Sequence, residues 1–366
     1  MRLIFGADTV PTEINEAAFA AGDAERLFGS AVKVFEGADR FIINLECALT
    51  NNETPIKKIG PALKASPECA RGLAAIGVTD VCLANNHIYD FGEVGYRDTL
   101  SALEAAGIPY TGVGDNDELS RTPHFFDIEG KRFAIINLNE SEYSYALPDR
   151  CGVNPLKPTT LIHDIRAAKA LSDYTIVVYH GGKELCRYPS PRLYELAHDM
   201  VIAGADVVLC QHSHCVGCYE RFLGGHIVYG QGNFHFIKEG LGDECWHDGL
   251  AVEVAIENNE LSLLFHPLVS DYESGGVTLA TGERAREILS GFMSRSEELK
   301  NGEWRRGWHE FCERVAPTYL QVVKDALSDT PRDPRANEFF GHYIDCEAHL
   351  DVLHELFPTW NRTVKQ

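Results

Sequence analysis

Short runs that are apolar at nearly every residue recur along the first two-thirds of the chain, separated by helical patterns. They cover residues 2–6, 40–45, 80–84, 132–138, 175–179, 206–210 and 226–230, and are rich in Val, Ile and Phe. A strand that is apolar on both sides must be covered on both faces, which confines the chain to layered α/β architectures. The segments between carry helix punctuation. Ser66-Pro67-Glu68 reads as an N-cap, a first-turn proline and an early carboxylate, with Gly77 as the stop. Ser190-Pro191 repeats the signal, with Leu193, Leu196, Ala197, Met200 and Val201 on one face and Gly204 at the end. Residues 93–106 and 160–171 carry similar stripes, Tyr96-Leu100-Leu103 and Leu161-Ile165-Ala168. Strands alternating with helices of this length predict right-handed crossovers and a largely parallel sheet.

After Gly249 the texture changes. Residues 250–256 and 261–266, separated by Glu-Asn-Asn-Glu, read as a hairpin. From Thr281 the pattern is helical. Residues 308–315, 319–327 and 344–357 are amphipathic and interrupted by Pro317, Pro331, Pro334 and Pro358. The expected organisation is a domain over 1–275 and a helical region over 276–366 packed on it.

The residues just beyond each strand are the informative feature. Residues 2–6 run into Ala7-Asp8, and 40–45 into Glu46. Residues 80–84 run into Asn85-Asn86-His87, with Asp90 close behind. Residues 175–179 run into His180-Gly181-Gly182-Lys183-Glu184, and 206–210 into Gln211-His212-Ser213-His214. Singly, Asp8 or Asn86 is a turn residue and His180 a satisfied strand-end histidine. Five strands delivering Asp, Glu, Asn or His to the edge where α/β folds bind ligands point instead to one distributed site. Oxygen donors mixed with imidazoles suit a divalent first-row metal. The candidate ligands are Asp8, Glu46, Asn86, His180, His212 and His214. His124, His163, His198, His309, His342, His349 and His354 lack this setting and read as surface or core residues.

Charge narrows the partners. With 33 Lys plus Arg against 54 Asp plus Glu, the formal charge is −21. Such a surface repels nucleic acid and anionic membrane, whereas cations inside one cleft can still admit an anionic small molecule or polymer. No apolar run approaches the roughly 18 to 20 residues that span a bilayer, and the N-terminus lacks the pattern of a signal peptide. The expected location is cytoplasmic. The 11 cysteines are an odd number and fit a fully paired framework poorly. Cys210 reads as strand core, and Cys215 and Cys218 as bystanders, because no second Cys pair completes a zinc knuckle.

Leu83-Ala-Asn-Asn-His-Ile-Tyr-Asp-Phe-Gly92 resembles the signature of the bacterial capsule-synthesis (CapA, poly-γ-glutamate synthesis) family. So do Asn44-Leu45-Glu46, His180 with Glu184, Gly204-Ala-Asp-Val-Val208 leading to His212-Ser-His214, and Ile227-Val-Tyr-Gly-Gln-Gly-Asn-Phe234. The likeness covers about residues 1 to 240. That family is similar to the calcineurin-like metallophosphoesterases, which implies a four-layer α/β/β/α sandwich with a helical C-terminal extension. The resemblance implies a metal-dependent phosphoester hydrolase with one or two divalent ions (Mn, Fe, Zn or Mg). Its alternative is a non-hydrolytic component of capsule synthesis or export. By the same resemblance Glu46 takes the bridging position and Asp8 and His214 the first metal. Asn86, His180 and His212 take the second metal, and water activated there attacks with help from His87. Asp90 would orient His87. Where the wider superfamily carries Asp-x-His, this chain has Asp8-Thr9-Val10.

Four residues are candidates to touch substrate: Glu184, Arg187, Asn233 and Lys64. Lys64 shares a Pro-rich loop with Lys57 and Lys58 that is either solvated or an anion-steering patch. The polar-aromatic loop 243–247 comes after the last site strand.

Overall fold

A computed structural model describes residues 1–238 and 244–358. Fourteen of the described strands build two large sheets, beside two small two-stranded ones. In chain order they are β1 (Arg2–Val10), β2 (Arg40–Leu45), β3 (Asp80–Cys82), β4 (Tyr110–Thr111), β5 (His124–Ile128), β6 (Lys131–Asn139) and β7 (Tyr174–His180). Then come β8 (Val207–Gln211), β9 (Tyr219–Phe222), β10 (Gly225–Val228), β11 (Asn233–Phe236), β12 (Asp248–Glu257), β13 (Glu260–Asp271) and β14 (Gly276–Leu279). One sheet has the order β14-β13-β12-β1-β2-β3-β4, with β11 also pairing β1; the other runs β9-β10-β8-β7-β6-β5.

Period-2 alternation explains the layers. Leu3, Phe5, Ile42, Leu250 and Val252 of the first sheet pack against Phe133, Ile135, Ile176, Val178, Val207 and Leu209 of the second. The intervening residues face outward. Ile4, Phe41, Ile43 and Val81 meet short helical segments through Phe19, Phe28 and Leu73. Ile136, Val177, Tyr179 and Val208 meet α2 (Pro158–Lys169) and α3 (Pro191–Ala203), while α1 (Gly92–Ala105) packs Leu103 into the first sheet's outer core. The result is a four-layer α/β/β/α sandwich. Ser190 caps α3 as expected, its hydroxyl accepting from Leu193 N.

Two departures from expectation have local causes. The sheets are mixed rather than largely parallel, because β12 joins β1 antiparallel and β5 joins β6 antiparallel. β1 also runs on to Val10, since β11, not anticipated as a strand, pairs with Asp8 to Val10.

The C-terminal helices are α4 (Gly282–Asn301), α5 (Trp304–Ala326), α6 (Ala336–Asp345) and α7 (Glu347–Leu356). Pro317 lies inside α5 and does not end it, because Trp304, Trp308, Phe311, Cys312 and Tyr319 bury one face along its length. α4 is pinned to the domain by Arg295, which donates to the carbonyls of Val216 and Gly217 at 2.8 Å. Cys186 joins Trp308, Phe311, Tyr343 and Val352 in one core, so α5 to α7 pack onto the loop after β7. Among the described residues, no helix is long and apolar enough to cross a membrane.

Candidate metal centre

The carboxyl ends of β1, β2, β7 and β8 meet where the two sheets open. Gln211, the last residue of β8, ties that strand to β1: its amide donates to Gly6 O at 3.3 Å and to Gln231 Oε1 at 3.0 Å. Two residues beyond the end of β8 adopt left-handed backbone, His212 (φ 82°) and His214 (φ 53°). Non-glycine residues held there cost on the order of 1 to 3 kcal/mol each and persist only where surrounding contacts fix them. The strain turns both imidazoles into one pocket.

Asp8 is fully buried; Oδ1 accepts from Asn44 Nδ2 at 2.8 Å and Oδ2 from His212 N at 3.0 Å. His214 Nδ1 lies 3.3 Å from Asp8 Oδ2 and 2.9 Å from Asn233 Oδ1. Burial alone would raise the Asp8 carboxyl, but hydrogen bonding to His214 and the charges of His180 and His214 hold it at about 2. Burial works against protonated His214 too, yet Glu46 and Asp8 push it up to about 10.

Around His180 the donors crowd. Its Nε2 lies 3.0 Å from Asn86 Oδ1, 3.1 Å from His212 Nδ1 and 3.3 Å from Glu46 Oε1. A proton on that nitrogen can point at only one of the three, whereas a cation is shared by all. Glu46 itself is 0% exposed, and neither carboxylate oxygen has a hydrogen-bond partner among the described residues. A carboxylate buried that way is strongly unfavourable unless a cation sits beside it. Ligand atoms of Glu46, His212 and His214 all lie within 4.8 Å of one another. The donor set therefore fits one or two divalent ions. Asp8, Glu46 and His214 would hold the first and Glu46, Asn86, His180 and His212 the second. Val10, where a further histidine would stand, is core instead.

Beside these donors His87 is held by Asp90, with Nδ1 2.6 Å from Oδ2. That leaves Nε2 for chemistry. Lys58, only 3% exposed at its side chain, donates to Asp90 Oδ1 at 2.6 Å and sits 3.3 Å from His87 Nδ1. Burial and then the Lys58 charge lower the pKa of His87. The lysine that reaches the site is thus Lys58. Lys64 does not line the cavity; its ammonium is turned away to Asn52 O (2.9 Å) and Glu53 Oε1 (2.6 Å).

Glu184 lines the cavity in front of the donors. Arg187 lines a larger neighbouring cavity, between the loop after β7 and α5. Asn233 contacts His214 rather than open space, and its amide donates to Trp246 O at 2.9 Å. Of the segment 243–247, expected to be a loop, Asp243 lies outside the described residues and Glu244–His247 form a short helix. Trp246 stands 4.5 Å from the His214 ring. The potential ligand groups found among the described residues contain no cysteine, and Cys210 and Cys218 are core behind β8.

Several cleft residues lie outside the set of sequence candidates. Glu140 and Glu142, just after β6, form a second group with His212. Burial pushes Glu140 up to about 8 and Glu142 up to about 7. Reading the residues just beyond 132–138, as for the other strands, would have found both. His342 and His349, read as surface or core residues, line the cleft instead, because α6 and α7 fold back over it.

A model of the bacterial capsule synthesis protein family, PGA_cap, matches residues 2–238. The chain belongs to that family. The capsule biosynthesis protein CapA of Bacillus anthracis is 30% identical over 211 residues, 55% of this chain and 50% of that protein. The PGA biosynthesis protein CapA of Bacillus subtilis strain 168 is 28% identical over 256 residues, 64% of this chain and 62% of that protein. The chain thus spans 50% and 62% of these two family members. A 5′-nucleotidase precursor from Thermus thermophilus superimposes with a TM-score of 0.43 at 14% identity, covering 80% of this chain and 58% of that one.

Proposed function

We propose that this family member is a metal-dependent hydrolase acting on phosphoesters. The observation that carries the reading is the buried Glu46 carboxylate, without a hydrogen bond among the described residues, facing His180, His212 and His214. Bound there, divalent ions would lower the pKa of water and clamp a phosphoryl oxygen. The chain's own residues supply the rest. Asp8 and Asn44 fix the carboxylate and imidazole orientations. His87 presents Nε2 beside the donors, its ring locked through Nδ1 by Asp90, and in its protonated form gives a proton to the leaving-group oxygen or stabilises the charge developing there. Lys58 keeps positive charge next to that imidazole and favours an anionic substrate, although the whole chain is acidic.

The test is metal analysis of the purified protein, coupled to a screen of phosphomonoesters and phosphodiesters with Mn, Fe, Zn and Mg. Bound metal with turnover that falls about 10²- to 10⁴-fold in His87→Ala is the expected result. No retained metal after reconstitution, and turnover indifferent to His87→Ala, would sink it.

The family relatives' names, which speak of capsule and PGA biosynthesis, favour a second reading. In it the chain is a non-hydrolytic component of surface-polymer synthesis. Capsule formation that survives substitution of Glu46 and His212, with co-purification of polymer-synthase subunits, would select it.

A further inference from the structure

The family match ends at residue 238, yet the cleft does not. In front of the donors lies a cavity of about 220 Å³ whose far side is made by Phe339, His342, Tyr343 and His349, all on α6 and α7. We propose that these two helices are the substrate-selecting wall of the site, and that they restrict it to small phosphomonoesters whose remaining part is a few polar atoms. This rests on the hydrolase reading above and adds the size and chemistry of what is hydrolysed.

The wall spans the cleft, because it is fastened on three different loops around it. Glu347, at the start of α7, accepts from Ser141 N at 2.7 Å and Ser141 Oγ at 2.9 Å. Asp351 accepts from Ser190 Oγ at 2.5 Å and Arg192 Nε at 3.0 Å. Arg335, just before α6, donates to Lys58 O at 2.6 Å. Each fastening joins a helix to a segment that carries or adjoins a site residue: Glu140 and Glu142, Lys183 and Glu184, or Lys58.

Volume then sets the substrate. At about 220 Å³ the cavity has room for a phosphoryl group and a small remainder. Drug-sized pockets begin at about 300 Å³. The lining chemistry agrees. His349 has Nδ1 2.6 Å from the Tyr319 hydroxyl, which leaves Nε2 for the cavity. Burial and then the Lys183 charge hold His342 down at about 4, so its ring is neutral near pH 7 and suits hydroxyl or amide groups. The His342 side chain also lines the next cavity outward, of about 450 Å³, as do Lys58, Ile59 and Glu142, so it is the part of the partition that the helices supply.

The experiment compares two esters carrying the same bond, glycerol phosphate and a phosphoserine peptide, on the metal-loaded full chain and on His342→Ala. Turnover and, separately, equilibrium binding by calorimetry are read, with metal content and circular dichroism as controls. The wild type is expected to bind and hydrolyse glycerol phosphate and to exclude the peptide. Opening the partition should raise the peptide's kcat/KM relative to glycerol phosphate by about tenfold or more, at unchanged metal content. Phe339→Ala, at a half-buried position outside the helical core, repeats the test if His342→Ala misfolds. Equal handling of both esters by the wild type, or a ratio unmoved by either substitution, overturns the wall. Metal-loaded protein that hydrolyses neither ester overturns the hydrolase reading instead. The binding arm then still decides the wall, because peptide bound as tightly as glycerol phosphate refutes it.

Discussion

The two sides of the cleft are built on opposite principles. On the sheet side Asp8, Glu46, His180 and His212 sit on or just beyond strand ends, at most 4% exposed, with strained backbone at His212 and an orphaned carboxylate at Glu46. On the helical side Phe339, His342 and His349 are half-buried on two helices of ten residues each, held by a few polar fastenings. Rigid elements over-determine the first side, which is what positioning of reactive groups demands. The second side can vary without disturbing the first, as a surface that selects among substrates requires.

The comparison breaks most directly at Glu46. Glu46→Gln should abolish metal retention in elemental analysis and lower turnover by about 10³-fold or more, the scale of losing a central catalytic group. It also has a thermodynamic readout. A cation at a hundred times its Kd adds about 2.7 kcal/mol to the unfolding free energy of a protein that binds it only when folded. Denaturant midpoints with and without chelator should show that increment in the wild type and none in Glu46→Gln. An increment of equal size in both would mean that the ion binds elsewhere.

Legibility in the sequence divides along the same line. Strand ends are visible because the strands are apolar throughout, so the polar residue after each one stands out. Asp8, Glu46, Asn86, His180, His212 and His214 are all legible that way, and the structure brings them together. Glu140 and Glu142 carry the same signal, at the end of a strand whose last residues went unread. β11 is not anticipated, since Asn233-Phe-His-Phe236 is short and comes after a glycine turn, and with it goes the length of β1. The wall is illegible for a physical reason. Its histidines are spaced along amphipathic helices like any others, and which face meets the cleft depends on how α5 to α7 dock. Lys58 is hidden likewise, for only the fold distinguishes it from Lys57 and Lys64.

The next effect is at the seam between the two sides. Lys58→Met removes the cation from a pair with Asp90 in which both side chains are almost fully buried. Breaking one partner of such a pair costs about 3 to 5 kcal/mol, because the other charge is left buried. Chemical unfolding of the metal-free variant should show a loss of that order. Turnover should also fall, with kcat affected more than KM. A loss under about 1 kcal/mol would show that Asp90 is satisfied by Leu63 N and His87 alone.

Glu347→Ala acts on the wall alone. It leaves Ser141 N and Oγ without their acceptor and should cost about 1 to 2 kcal/mol, since hydrogen bonds to a charged group are lost. Metal content should stay at the wild-type level and KM should rise more than kcat falls. Reduced metal content in this variant would mean that α7 supports the donors as well as the substrate, and the separation of the two sides would be wrong.

Lys64→Ala is the smallest change and sharpens the contrast within one loop. Its ammonium makes a contact to Glu53, whose side chain is 86% exposed, and lies 5.2 Å over the Phe91 ring. Exposed pairs of this kind contribute about 0 to 1 kcal/mol, and a single cation–π contact at such a site about 0.5 to 1 kcal/mol. Stability should therefore drop by about 1 kcal/mol at most, and kcat/KM for a small phosphoester should not move. Six residues earlier Lys58 has the same charge and the same stem, and its removal is expected to affect both. If the two substitutions proved equivalent, loop charge rather than the buried Lys58–Asp90–His87 contact would be drawing the substrate in. Steady-state kinetics at two ionic strengths would expose that, because only diffuse attraction is screened by salt.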